Sequence, residues 1–593
     1  MAEITKPIIL DETGKDMAGS LSSLAIGQEK HIMATVVSSG NAGLIDAHYN
    51  YLVLNARSVE EVNALFTQWW HLCWEKAVAD SADKAAARQS LLMRWFGTVL
   101  DDERIHGVKV PLFSTSTAAI GELTDDSKGL SCTPSTAAKA GRDDFAYLPQ
   151  FWTLEVAMER NADGTHTINA VEFIDDRSYV RSGEHGLCQV LQKNTWTKEW
   201  KDSQYHYMKM RCHESAGYHT WPQGTGKDGT VYPYIANPKY YAGLGADGKP
   251  TVGTGLAPLN FTSHNAGVTL WRKRGPQYSG AAGNLIKWQL AMVWLKYARK
   301  GNSGTIEGCS SFLWGYPAAV SETAATRIVV TEADASAILD GCSVAIALVA
   351  EDGTFDQWGA NKYNVFKHKQ IRSIESVTIS GTKYKAINLE LAAGETIDTV
   401  AGRTYISSVP YASGWNDGVL GYDGSRINCT NGKEPGLIQR TEFQNGAYLI
   451  LSDELWQWET EADGSYSFNC YTCHDQSKVT TNGTISADYE KQSDLTLVFA
   501  ADFGEKWAYI EDIATGADSG VLWPAKVSTV AGSGTGVKAG FYAQPQASGV
   551  RAAWCFCALN SYGNAGLAAR NSAGGPPYSD WAAAVGAPSG ISG

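Results

Sequence analysis

Eight Asp-Gly dipeptides punctuate this chain of 593 residues, and they constrain its architecture more than any other feature. Both residues tolerate positive φ, so each pair marks a tight turn of the kind that joins antiparallel strands. At two of them the flanks agree. Trp152, Leu154, Val156 and Met158 alternate, Asn161-Ala-Asp-Gly164 turns the chain, and Thr165 to Phe173 returns. The unit recurs where Trp456, Trp458 and Thr460 lead into Ala462-Asp-Gly464 and Tyr466, Phe468 and Cys470 lead out. Period-2 alternation about a turn predicts a β-hairpin.

Other segments carry the helical period. Ser58 with Glu61 forms a capping box, after which Val62, Phe66, Trp69 and Cys73 recur on one helix face. A second helix is predicted from Asp83 to Leu100, with Ala85, Arg88, Leu92 and Trp95 in register. The stripes predict a helical hairpin packed on its own core, with self-association as the alternative. A third helix, over 285–300, is predicted to start at an Asn284 cap and end at Gly301. It is apolar on more than one face and so buried, with Lys296, Arg299 and Lys300 facing its last carbonyls. Residues 1–50 have weak periodicity and small residues from Ser38 to Gly43, which predicts an extended attachment segment. Residues 327–410 read as an inserted β module. It opens with a short helix from Thr331 to Asp340 stopped by Gly341. A strand through Val344, Ile346 and Leu348 follows, then a hairpin about Ser380-Gly-Thr382, from Val377 and Ile379 to Ile387 and Leu389.

Composition removes several classes. Lys and Arg number 49 against 62 Asp and Glu, a net charge of −13, whereas a nucleic-acid binder needs basic groups for phosphate. Disordered chains do not hold 20 Trp and 27 Tyr. Charged residues are 19%, against about 25% in an average soluble domain, and they are scarcest in the Gly-, Ala-, Ser- and aromatic-rich tail from 515. No apolar run reaches the ~18 residues of a membrane span, so no membrane insertion is expected. The N-terminus lacks the basic-then-apolar order of a signal peptide. The eleven cysteines are therefore expected to be reduced, mostly buried thiols of a protein folded in a cytosol.

Catalytic motifs are missing: no GxSxG, Walker A loop or HExxH occurs. A GxGxxG at Gly243 to Gly248 is followed by Lys249-Pro250, so no helix opens on it and it reads as a loop. Cys470-Tyr-Thr-Cys473-His474 lacks the second half of a zinc site, and Cys555 and Cys557 have no further partners in sequence. Asp101-Asp-Glu103, Asp143-Asp144 and Asp175-Asp176 read as solvated turns, because adjacent carboxylates on a strand point to opposite faces. No cofactor, metal or enzymatic activity is expected.

Several stretches in order along the chain resemble tail proteins of bacteriophages and prophages whose C-terminal part has a C-type lectin-like fold related to formylglycine-generating enzymes. These are Lys6 to Lys15, Val110-Pro-Leu-Phe113, Gly141 to Pro149, Trp288 to Asn302, Tyr405 to Gly424, Pro435 to Leu451, Val550 to Trp554, Gly563 to Leu567, Asn571 and Gly586. The resemblance implies an α+β protein: a virion-attachment segment at 1–50, a helical hairpin at 51–110, and a C-type lectin-like domain at 111–326 and 411–593 split by the β insertion at 327–410. In this family the last segment displays a ligand surface that retroelements diversify in many members. The implied receptor-binding residues are Trp554, Phe556, Asn560, Ser561, Tyr562, Asn564, Tyr578 and Asp580. Along the strand, alternate members of Trp554, Cys555, Phe556 and Cys557 should face inward.

Two departures speak against the family's oxidase chemistry. Its copper-binding cysteines are more widely spaced than Cys555 and Cys557, and Arg551-Ala-Ala-Trp554 replaces the expected Arg-Gly-Gly-Ser/Trp. The resemblance thus implies a tail fibre or tail-tip protein, assembled in the host bacterial cytoplasm and carried on the virion tail. Its partners would be other virion tail proteins, copies of itself in a homotrimer, and a glycan or protein receptor on the bacterial surface. The alternatives are a purely structural virion component and a glycan-degrading tail enzyme.

Overall fold

A computed structural model describes residues 41–588 apart from 82, 113–119, 227, 358–359, 516–519, 530–535, 557, 581–582 and 587. The attachment segment up to residue 40, Phe113 and Cys557 lie outside the described residues. The chain is mixed α and β, 17% helical and 35% strand, and builds several sheets. Six of the eight Asp-Gly glycines have positive φ, between 73° and 149°: Gly164, Gly229, Gly248, Gly341, Gly424 and Gly464. Gly164 turns strand Thr153–Arg160 into His166–Val171, and Gly464 turns Tyr448–Thr460 into Tyr466–Thr472. Arg160↔His166 and Thr460↔Tyr466 close the two ladders. The GxGxxG segment is a short hairpin of Gly243–Leu244 and Pro250–Thr251, as its proline requires.

Three helices begin the described chain: α1 (Ala42–Asn55), α2 (Val59–Asp80) and α3 (Lys84–Arg94). Ser58 caps α2 by accepting from the Glu61 N–H, and the Glu61 carboxylate reaches back to the Arg57 N–H at 2.9 Å. The stripe Val62, Phe66, Trp69 and Cys73 is buried as core. Residues 42–50, expected to be extended, are helical. Their pattern is thin, but Ile45, Tyr49 and Val53 recur every four residues and are buried, and Asn41 caps the first turn. Asp46 adds a tertiary anchor, accepting from Trp69 Nε1 at 2.9 Å and from Arg94 at 2.6 Å, which ties α1 to both other helices. The second predicted helix ends early: α3 stops at Arg94 and widens into a π turn, Trp95–Val99, that buries Trp95, Phe96 and Val99. These helices cover a four-stranded sheet, and Trp95 packs between Phe66 at 5.0 Å and Trp152 at 5.9 Å.

Helix α4 (His264–Trp271) lies between chain segments that meet the tail, and α5 (Asn284–Tyr297) is buried from Leu285 to Lys296. Helix α5 shares one core with Val108 and Met208 of a five-stranded sheet and with Ile450 and Trp456 of a ten-stranded sheet. Its ends differ from expectation. Gly283 occupies the cap position and Asn284 is already helical, while Ala298, at φ 50°, ends the helix before Gly301. The Gly283 N–H instead donates to the Asp453 carboxylate at 3.0 Å. Glycine is required there, because a Cβ would sit 1.6 Å from Glu454 Oε1.

In the region read as an insertion, Thr331 caps a one-turn helix, α6 (Glu332–Ala335), shorter than expected, and Gly341 follows at φ 78°. A six-stranded sheet includes Arg327–Val330, Ser343–Leu348, Phe366–Ile379, Thr382–Leu389 and Thr404–Ser408, with Gly315–Pro317 at one edge. Ser380 at φ 49° and Gly381 at φ 82° form the two-residue turn between Ile379 and Thr382. Ile328, Val344, Ile346, Ile387 and Ile406 belong to a core cluster of their own. Among the described residues no helix is long and apolar enough to cross a membrane.

Candidate binding surface

The tail enters the main sheet as strand Ser548–Cys555, antiparallel to Tyr448–Thr460, with Ile450 opposite Trp554 and Leu449 opposite Cys555. Its other edge pairs with Arg570–Asn571, so the strand is interior to the sheet. Alternation would expose every second residue, yet Trp554, Cys555 and Phe556 are all buried. The strand is covered on both faces at this end, and Phe556 leaves it in a left-handed conformation, φ 64°, that turns its ring inward. Ser561 is also buried. The structure thus withdraws Trp554, Phe556 and Ser561 from the surface. Tyr562 (57% exposed) and Tyr578 (53%) are left outward, with Asn560, Asn564 and Asp580 partly exposed.

The outward residues rest on different supports. Tyr562 and Asn564 lie on a 3-10 turn, Tyr562–Asn564, whose first N–H donates to the Ser310 carbonyl at 2.8 Å. Tyr578 lies over Trp554, ring centroids 5.8 Å apart and planes 27° from parallel, and Trp554 in turn packs on Tyr448 at 5.6 Å. Gly574 permits this stack, since a Cβ there would come within 2.6 Å of the Trp554 indole. The Tyr578 hydroxyl donates to Asp580 at 3.2 Å. Partial burial, then the nearby Asp580 charge and hydrogen bond, raise the phenol's pKa, so it is a protonated donor at neutral pH.

Residues distant in sequence complete this edge. The Phe261 N–H donates to the Asp580 carbonyl at 3.0 Å, and the Phe261 ring stands edge-on to Tyr363 at 4.8 Å with Lys367 Nζ 5.3 Å from its centroid. The Asn265 N–H donates to the Pro576 carbonyl at 3.2 Å. Pro577 lines a cavity of 440 Å³ together with Ser263, Asn265, Thr269, Lys273 and Thr481. An exposed phenol on a buried indole, beside a cavity of hydroxyl, amide and ammonium groups, suits a ligand with one apolar face and many polar substituents. Nothing local in the sequence marks Phe261, Asn265 or Lys367 for this role.

The acidic clusters are paired rather than solvated. Asp176 is salt-bridged to Arg88 at 2.7 Å, both nearly buried, and Asp102 pairs with Arg104 at 2.5 Å. Asp143 and Asp423 both contact Lys296 Nζ, at 2.7 and 2.6 Å. That ammonium is therefore not at the α5 carbonyls, and Lys300 instead donates to the carbonyls of Leu112 and Glu511. Among the described residues the one trio of metal-ligand types with donor atoms within 4.8 Å is Cys132, Asp143 and Asp423. Lys296 already balances the carboxylates, and burial pushes the Cys132 thiol well above its ordinary range, so this donor set is poorly suited to a cation. Cys470 and Cys473 are buried with raised thiol pKa values, while His474 faces Glu490 at the surface, so these three do not converge. The ten described cysteines are all free. No protein-family model matches the chain, and no curated protein matches it.

Proposed function

We propose that this chain is a bacteriophage virion tail protein that binds a receptor on the bacterial cell surface through a C-terminal C-type lectin-like domain. In this reading the domain comprises 111–326 and 411–593, the β module at 327–410 is an insertion within it, and the segment before residue 50 attaches to other virion tail proteins. The observation that carries the reading is the Tyr578 ring, exposed on a buried Trp554 beside a polar cavity. A tyrosine held this way presents wide contact area at low entropic cost, and a homotrimer would multiply modest contacts by avidity.

The test is attachment of the purified full chain to host cells. Deleting the tail would mislead, because Ser548–Cys555 and Ala583–Val585 are strands of the central sheet. Point variants are needed. Tyr578→Ala should weaken attachment by about tenfold without lowering the melting temperature. Unchanged attachment by Tyr578→Ala and Tyr562→Ala together would refute receptor binding through this surface.

A further inference from the structure

A trough of two adjoining cavities, 510 and 740 Å³, runs along the β module and meets the rest of the chain; both parts are lined by Arg372 and Glu390. The inner part is walled by Thr254 on one side, by Asp340 and Arg372, and by Trp415 and Arg426 on the return from the module. Pockets of this size at such seams are common ligand sites.

Its lining is polar and uncommitted. The side chains of Asp340, Gln370, Arg372 and Glu390 make no hydrogen bond or ion pair among the described residues. Arg426 lies over the Trp415 ring, 4.6 Å from its centroid, which forms a flat corner. Gly341 keeps that corner open: a Cβ there would meet Arg426 Nη1 at 3.0 Å and the Trp415 ring at 3.5 Å. Two guanidinium groups face two carboxylates, so the trough has donors and acceptors in equal supply and no net charge. An anionic ligand would meet Asp340 and Glu390, and a cationic one Arg372 and Arg426. A ligand of many hydroxyls satisfies both sets at once.

We propose that this trough binds a neutral oligosaccharide, at a site separate from the Tyr578 surface. The full chain is probed on a glycan microarray that carries neutral oligosaccharides beside uronic-acid- and phosphate-bearing ones. Wild type should retain neutral glycans. Arg372→Ala and the isosteric Glu390→Gln should each weaken that signal about tenfold or more, since each removes a charged hydrogen-bond partner. Lys383→Ala, exposed on the same module, should not change it. All of these side chains are exposed, so melting temperatures should match wild type and report that the fold is kept. Absence of any neutral-glycan signal, preference for the acidic glycans, or neutral binding indifferent to Arg372→Ala and Glu390→Gln would each overturn the proposal. The last outcome would locate glycan binding elsewhere and leave the Tyr578 surface as a candidate.

Discussion

Trp554 and Tyr578 form a stacked pair in which one ring is buried and the other is half in solvent, their centroids 5.8 Å apart. The pair therefore separates packing from presentation. Trp554→Ala removes a core indole and should cost about 3–5 kcal/mol in urea unfolding. Tyr578→Ala should cost well under that while still impairing attachment. Equal stability losses in the two variants would contradict this division.

Lys296 is the one cation in direct contact with both Asp143 and Asp423 among the described residues. Lys296→Met should destabilise the protein by about 3–5 kcal/mol, because two carboxylates would then face each other in the interior. Adding Asp143→Asn and Asp423→Asn to Lys296→Met should recover part of that loss, a coupling readable in a mutant cycle.

Glu442 controls a pH dependence with a definite sign. Burial, reinforced by Asp417, raises its carboxyl from 4.5 to about 7. Between these values the folded protein holds a proton that the unfolded chain has released. Its contribution, about 3 kcal/mol, is therefore complete below pH 4.5 and lost as pH rises through 7. Glu454, buried and raised to about 7, acts in the same direction. Thermal melts from pH 4.5 to 8 should show this decline, and Glu442→Gln should flatten it. The Gln variant should also be less stable at low pH. Glu442 accepts from the N–H groups of Gly414 and Asn416 through separate oxygens, and an amide has only one.

At Gly283 the prediction concerns space rather than backbone conformation. Its φ of −62° suits any residue, but a methyl group would collide with the Glu454 carboxylate. Gly283→Ala should cost about 1–3 kcal/mol despite alanine's higher helix propensity, and a gain in melting temperature would disprove the clash.

Much of the local structure was legible in the sequence. The two Asp-Gly hairpins, the Ser58 cap with its apolar stripe and the Ser380-Gly381 turn stand where residue spacing predicts them. The errors have a common origin. Residues 42–50 were expected to be extended because their stripe is short, and the Asp46 contacts with Trp69 and Arg94 come from other helices. Asn284 looked like a cap, but the neighbouring Gly283 takes that position because its N–H meets Asp453. Asp143 and Asp176 looked solvated because the sequence does not display Lys296 or Arg88 beside them. In the tail, strand alternation predicted one buried face for Trp554 to Phe556, whereas the structure covers both.

Turns, caps and stripes were determined by the sequence itself, since φ preferences, capping hydrogen bonds and side-chain period act within a few residues. Burial and partnership were decided only by the tertiary structure. Tyr578 and Tyr562 are exposed while Trp554 and Phe556 are not, and the Tyr578 edge is completed by Phe261 and Asn265, some three hundred residues earlier in the chain. Exposure and charge pairing are set by whichever distant segment packs alongside, and that information has no local period.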